Sequence, residues 1–261
     1  MKFNVVVLMK QVPDIRTANN DVLLPDGSIN RAILPTIVNP NDMYALEQAL
    51  LLKDRYPETT VTVLSMGPMQ AAQVVREGWF RGADKGVLLC DKQFAGSDTL
   101  ATSYTLAQAI KQLAPVDLVL CGSQSIDGDT AHVASQVACH LGWPQFTFAN
   151  ALQVENNQVT VERQIENGVE KAQTSLPVVI SVTNQAPVCR PKNAKNVMMH
   201  KRTEVLVWSL NDIQADANQC GWAGSPTRVA NMLPLTWQVK EAQQVEPTNE
   251  GIAALMQWIV K

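Results

Sequence analysis

Along the first two-thirds of the chain, apolar residues gather into short continuous runs separated by stretches of helical period. Val5–Met9 is a β-branched run that reads as a buried strand. Val61–Met66, closed by Gly67-Pro68, reads the same way, as do Gly86–Cys90 and Asp117–Cys121. Between them, Met43, Leu46, Ala49 and Leu50 mark one face of a helix that Asn41 or Asp42 caps and that ends before Pro57. A second helix runs from Met69 to Arg81 and stops at Gly82. A third runs from Asp98 to Leu113, and a fourth from Thr130 to Leu141, with Gly142 and Pro144 beyond it. Continuous apolar strands alternating with helices of roughly 10–15 residues predict a parallel sheet sandwiched by helices, an α/β fold. In such sheets ligands bind outside the carboxyl ends of the strands. The loops after Met9, Met66, Cys90 and Cys121 are therefore the segments to examine.

From Thr147 onward the period changes to two. Val159–Arg163 and the run before Asn156-Asn157 predict antiparallel strands joined by a hairpin turn, and Val169–Ser175 and Val178–Val182 predict further strands. A polar excursion from Pro13 to Asn41 holds a turn signal at Pro25-Asp26-Gly27. The remainder shows little periodicity, and its scattered Trp208, Trp222, Trp237 and Trp258 suggest an arm that packs on the body or on a partner. The chain thus divides into an α/β domain over 1–185, strand-rich in its later part, and a loop with a C-terminal arm over 186–261.

Composition narrows the function classes. With 261 residues, 46% of them hydrophobic and 17% charged, the chain can bury a core and is not a disordered polymer. A net charge of −3 gives no electrostatic footprint for nucleic acid. The one basic concentration, Lys192, Lys195, His200, Lys201 and Arg202, reads as a solvated loop or a binding patch. No apolar run approaches the roughly 20 residues needed for a membrane span, and the N-terminal run is too short for a signal segment. Five cysteines, an odd number with no CxxC pair, argue against a disulfide framework and for a cytoplasmic location. The three histidines match no metal-ligand spacing.

The stretch Cys121–Val133 carries the strongest chemical signal. A strand, a small-residue loop and a helix start follow one another, which leaves main-chain N–H groups and the positive helix end facing the crevice. That arrangement suits a phosphate, with Gly122 and Gly128 permitting close approach and Ser123, Gln124, Ser125 and Thr130 adding donors. The plain alternative is an ordinary loop in which Asp127 and Asp129 serve as caps. Asn39, held extended before Pro40, either caps a helix or offers its amide to a ring edge or ribose. Gly96-Ser97-Asp98-Thr99 opens another helix with Thr99 and Thr102 on its first turn, by itself a capping motif. There is no GxGxxG after Met9, no GxxxxGK[ST] and no GxSxG, which counts against nicotinamide dehydrogenases, P-loop enzymes and α/β-hydrolases. No spacing around His132 singles out a nucleophilic triad.

Taken in order, Val7–Asp14, Val38–Asp42, Ser65–Pro68, Gly82–Asp84, Gly122–Asp127, Trp143–Gln145 and Val161–Ile180 resemble the beta subunits of electron-transferring flavoproteins over roughly residues 4 to 205. Asn167 stands where that family usually has Gly or Asp, and Ala172 replaces a larger aliphatic. The resemblance implies an adenine-nucleotide-hydrolase-like fold and a heterodimer with a larger, FAD-binding alpha subunit. It implies a redox carrier that supplies no catalytic side chain and serves a dehydrogenase. Conventional members hold AMP and electron-bifurcating members hold FAD in the same place. Asp127–Ala131, Gly96–Thr102 and Ala223–Thr227 resemble the bifurcating branch, so FAD is expected, with AMP the alternative. The implied cofactor residues are Leu8, Met9, Asn39, Asp42, Met66, Gly67, Pro68, Asp98, Thr99, Thr102, Gly122, Gln124, Ser125, Asp127, Gly128, Asp129, Thr130, Ala131, His132 and Val133. The implied docking loop includes Arg190, Asn193, Ala194 and Lys195, with Ala194 where an anchoring aliphatic side chain is usual. A universal-stress-type adenine-nucleotide-binding module is the rival reading; the strand-rich segment and the arm disfavour it.

Overall fold

Val5 and Val7 face one side of the first strand and Val6 and Leu8 the other, and all four are buried. A strand apolar on both faces belongs in the middle of a sheet covered by helices on both sides. The computed structural model of the chain describes residues 1–14, 35–227 and 244–259; the turn expected at Pro25–Gly27 and Trp237 lie outside them. Its elements are β1 (Asn4–Leu8), β2 (Gln11–Pro13), β3 (Thr36–Val38), α1 (Pro40–Arg55), β4 (Thr60–Met66), α2 (Ala72–Arg81), β5 (Lys85–Leu89), α3 (Thr99–Gln112) and β6 (Leu118–Gly122). There follow α4 (Val133–Leu141), β7 (Gln145–Glu155), β8 (Gln158–Ile165), β9 (Gly168–Ser175), β10 (Val178–Val182), α5 (Ala194–His200), β11 (Leu206–Trp208), α6 (Gly221–Gly224) and α7 (Asn249–Ile259).

The nine-stranded sheet runs β11-β5-β4-β1-β6-β10-β7-β8-β9. It is parallel from β11 through β7, and the β7–β8–β9 end is antiparallel. On one face, Leu46 and Leu50 of α1 and Val75 and Trp79 of α2 pack on Val5, Val7, Val63, Leu118 and Ile180. On the other, Tyr104 and Ile110 of α3 and Val137 of α4 pack on Val6, Leu8, Leu64, Val119 and Val179. The helix stops fall at Gly82 (φ 123°) and Gly142 (φ 68°), conformations that side chains with a Cβ resist. At the hairpin, Asn156 and Asn157 both take positive φ (49° and 63°), the pattern of a tight two-residue turn.

The strand expected at Val178–Val182 forms as β10, which sits inside the parallel sheet between β6 and β7 with its five residues all buried. β2 and β3 pair as a separate antiparallel sheet, and β11 extends the main sheet beyond β5. α7 leaves Ile252, Met256 and Trp258 exposed. Among the described residues no helix is long and apolar enough to cross a membrane.

Packing of α2 on the sheet yields a test. A Cβ on Gly78 would fall inside Val63 Cγ2 of β4. Replacing a helical Gly by Ala gains about 1 kcal/mol of helix propensity, whereas forcing a methyl into a filled core costs about 1–3 kcal/mol. Gly78→Ala is therefore expected to lower the urea midpoint; a raised midpoint would show that α2 has room to shift.

Candidate functional site

The chain leaves β1 toward β4 on one side and later returns to place β6 on the other, so the carboxyl ends of β1 and β6 border a topological switch point. A cavity of about 420 Å³ opens there. Leu8, Met9 and Lys10 line it from the end of β1, Asn39 and Asp42 from the start of α1, and Met66 from β4. Phe94, Gly96, Ser97, Asp98, Thr99 and Thr102 line it from the β5–α3 connection and α3. Gly122–Ser125, Gly128 and Thr130–Ala134 close the remaining side. Of the residues expected from the sequence, Gly67, Pro68, Asp127 and Asp129 are not in the lining. Gly67 instead donates its N–H to Leu89 O, tying the β4 turn to β5. Lys10, Leu64, Phe94, Ser97, Leu106 and Cys121 line the cavity without having been among the implied cofactor residues. Lys10 directly follows Met9 in a loop already marked by the strand-end rule, and its charge was the available signal.

Asp42 joins the walls. Its Oδ1 accepts from Asn39 Nδ2 (2.9 Å) and Gly122 N (3.1 Å), and its Oδ2 accepts from Lys10 N (2.8 Å). Asn39 continues the network, donating to Gln124 O and accepting from Ile126 N. Asn39 makes no side-chain capping bond to α1, so the capping reading gives way to a strut between α1 and the β6–α4 loop. Gly122 likewise serves a different purpose from the one expected. A Cβ there would stand 2.5 Å from Asp42 Oδ1, so its missing side chain makes room for this carboxylate. Gly128 is the open one, with only Ser125 Oγ at 3.4 Å from a Cβ built there. Burial pushes the Asp42 carboxyl up to about 7, against the opposing pull of the Lys10, Asn39 and Gly122 hydrogen bonds and the Lys10 charge. Burial and the Asp42 charge also raise the Cys121 thiol, which stays protonated.

The fourth helix begins at Val133, three residues later than expected. Asp129 (φ 51°) and Ala131 (φ 55°) are left-handed, which breaks the helical path and holds Thr130 and Ala131 in the cavity wall. Each such residue costs roughly 1–2 kcal/mol, a strain typical of places where the chain is held for a purpose. His132 sits at the cap position without a side-chain cap. The first amides of α4, with Val133 and Ala134 in the lining, therefore form the electropositive end of the cavity.

At the opposite wall Asp98 caps α3, accepting from Leu100 N (2.9 Å) and Ala101 N (3.1 Å), and also from Thr227 N (3.1 Å). Burial works against its charge, but the Ala101, Thr227 and Leu100 hydrogen bonds prevail and hold its pKa below the usual aspartate value. Farther away, Arg190 is engaged inward by Glu47 and Asp54 of α1. Asn193 caps α5 through Lys195 N and Asn196 N. Ala194 and Lys195 are exposed on its first turn, and Met198 and Met199, 84% and 60% exposed, are its largest apolar side chains.

Asp42 supplies a pH test. Its folded pKa of about 7 lies above the ordinary 3.8, so the folded chain holds this proton more tightly than the unfolded one. The associated stability is fully present below pH 3.8 and lost as pH rises through about 7. Asp42→Asn removes that slope and leaves a main-chain N–H facing an amide group, at a cost of about 1–3 kcal/mol. Urea unfolding from pH 4 to 8 is expected to show a falling curve for the wild type and a flatter one for the variant, which starts lower at pH 4 and is met by the wild-type curve as pH rises through about 7. Parallel curves would contradict the assignment.

Similarity to known proteins accords with this geometry. Residues 26–213 match the Electron transfer flavoprotein domain family. The chain is 44% identical over 235 residues to an electron transfer flavoprotein subunit beta of Megasphaera elsdenii, covering 88% of this chain and 86% of that protein. It is 40% identical over 225 residues to the Caffeyl-CoA reductase-Etf complex subunit CarD of Acetobacterium woodii, covering 86% and 85%. It is 38% identical over 265 residues to the protein FixA of Rhizobium meliloti, covering 98% and 90%. The chain belongs to the electron transfer flavoprotein family, among its beta subunits.

Proposed function

We propose that the β1–β6 cavity holds an adenine-bearing cofactor, FAD in preference to AMP, and that the chain works with a larger FAD-binding alpha subunit to pass electrons between a dehydrogenase and an acceptor. The carrying observation is that a single cavity joins the amide-rich start of α4 to the hydroxyls of Thr99 and Thr102 on α3. A bare adenylate needs the first region alone, whereas a longer dinucleotide uses both. The α4 amides with Thr130 would hold phosphate, Met9 and Met66 would flank the base, and Thr99 and Thr102 would meet the ribityl chain or ring. FAD supplies the redox chemistry; the chain's own work is to bind it, orient it and limit water around it. Two flavins in one heterodimer are what electron bifurcation requires, and we place this chain in that branch. Its five cysteines are all free, in keeping with a reducing cytoplasm.

The partner dehydrogenase docks on α5. A relative is named as a subunit of a caffeyl-CoA reductase-Etf complex, which supports an acyl-CoA oxidoreductase as the partner class. Ala194 has little surface to bury, so Met198 and Met199 provide the apolar contact. Arg190, clamped to α1, holds the segment in place rather than offering its charge.

Two measurements decide. Small molecules released from the purified heterodimer are expected to include two FAD per heterodimer and no AMP. One FAD with one AMP would reverse the preference, and one FAD alone would remove the cofactor from this chain. Replacing Met198 and Met199 together by Ala is expected to raise the apparent KM for the dehydrogenase about tenfold, with flavin content unchanged. An unaltered KM would move docking elsewhere.

A further inference from the structure

Among the described residues, Lys10 is the single lysine or arginine in the cavity lining. Its main chain is fixed, with N–H donating to Asp42 Oδ2 and C=O accepting from Asn39 N. Its ammonium is already engaged by a carboxylate. It reaches across to the β6–α4 loop, 2.7 and 2.9 Å from the Asp127 carboxylate oxygens and 3.4 Å from Ser125 Oγ. Asp127 is outside the lining, while Ser125, Gly128 and Thr130 of the same loop are within it. The pair therefore straddles the rim, with a cation on a flexible stem and an anion on a loop held by Asn39.

The charge balance of the cavity makes this pairing informative. Asp42 and Asp98 line it, and Asp127 stands beside it. A phosphate entering there meets N–H groups and a helix end, which carry partial charges only. Among the described residues one full positive charge is at hand, and a carboxylate holds it. The Lys10 side chain is 47% exposed and that of Asp127 11%, so the carboxylate is fixed in the loop while the ammonium, on a stem open to water, is the partner free to move. Burial works against the Asp127 charge, but the Lys10 ammonium beside it prevails and holds its pKa below the usual aspartate value.

We propose that Asp127 holds Lys10 in reserve and that a phosphate-bearing ligand takes it over, the ammonium swinging from the carboxylate to the phosphate. This rests on the cavity being a nucleotide site. It makes Lys10 a ligand-binding residue and Asp127 its competitor rather than a contact.

The swap and a fixed latch predict opposite signs for one variant. The full-length chain, produced with its larger partner and stripped of nucleotide, is titrated calorimetrically with ADP and with adenosine. The partner's own site is common to every sample and cancels in the comparison. Lys10→Met is expected to weaken ADP about tenfold and Lys10→Arg to retain most of the affinity. Asp127→Asn frees the ammonium and is expected to tighten ADP about threefold at low salt, a gain that added salt erases. Adenosine, which has no phosphate, binds all four proteins alike and serves as the control for folding. If Asp127→Asn weakens ADP as Lys10→Met does, the pair is a latch and the swap is refuted. Equal losses for adenosine and ADP also refute it. If the wild type binds neither ADP nor FAD in this chain, the nucleotide reading falls and the swap falls with it.

Discussion

A parallel sheet ends in loops whose first amides have no strand beside them, and at a switch point two such ends face each other across a crevice. In this chain one carboxylate answers both. Asp42 takes the Lys10 N–H after β1 and the Gly122 N–H at the end of β6, and through Asn39 it reaches the loop beyond. A buried carboxylate without a cation of its own is costly, and the three donors offset only part of that cost, which is why its proton affinity rises. The arrangement works only with Gly at 122, since any side chain there occupies the carboxylate's place. The walls of the cavity thus take their positions from an interaction within its own lining.

The helix bearing Asp42 also reaches the opposite end of the molecule. Asp54 lies twelve residues further along α1, about 18 Å away at the usual helical rise. Glu47 and Asp54 hold Arg190, and Lys192 is held in turn by Glu77 of α2. The segment leading into α5 is therefore carried by the same rigid element that organises the cavity. A surface that must present side chains to another protein is best mounted on such an element, because side chains ordered beforehand lose less entropy on binding.

The sequence showed what local chemistry dictates. Four apolar runs and four helical periods gave the central sheet and its covering helices because each carries its signal in neighbouring residues. Gly82, Gly142 and Asn156-Asn157 marked the stops and the hairpin because their conformations exclude most other residues. Strands of three residues, β2, β3 and β11, are too short for a period to emerge and exist because a partner strand is near. The site divided in the same way. The strand-end rule and the family motifs located the loops, and most of the named residues came together around one cavity. Direction was not legible. Asp127 and Lys10 are adjacent only after folding, so nothing local shows that the carboxylate turns to the ammonium instead of the cavity. Asn39 read as a cap because capping is a local rule, whereas its partners Gln124 and Ile126 are more than eighty residues away.

The β5–α3 connection faces two ways. Its inner side lines the cavity with Gly96, Ser97 and Asp98; its outer side receives the segment from Cys220 to Thr227. Trp222 N donates to Ala95 O, Gly221 N to Ser97 Oγ and Thr227 N to Asp98 Oδ2, while Ser225 Oγ accepts from Asp98 N. A Cβ on Gly96 would penetrate the Trp222 ring, so the contact is as close as two chains allow. Asp98 thus spends one oxygen on capping α3 and the other on the start of the arm. A displacement of that segment cannot leave Thr99 and Thr102 untouched, because the same carboxylate sets the first turn on which both stand. Position on the outer surface and geometry inside the cavity are two readings of one hydrogen-bonded loop.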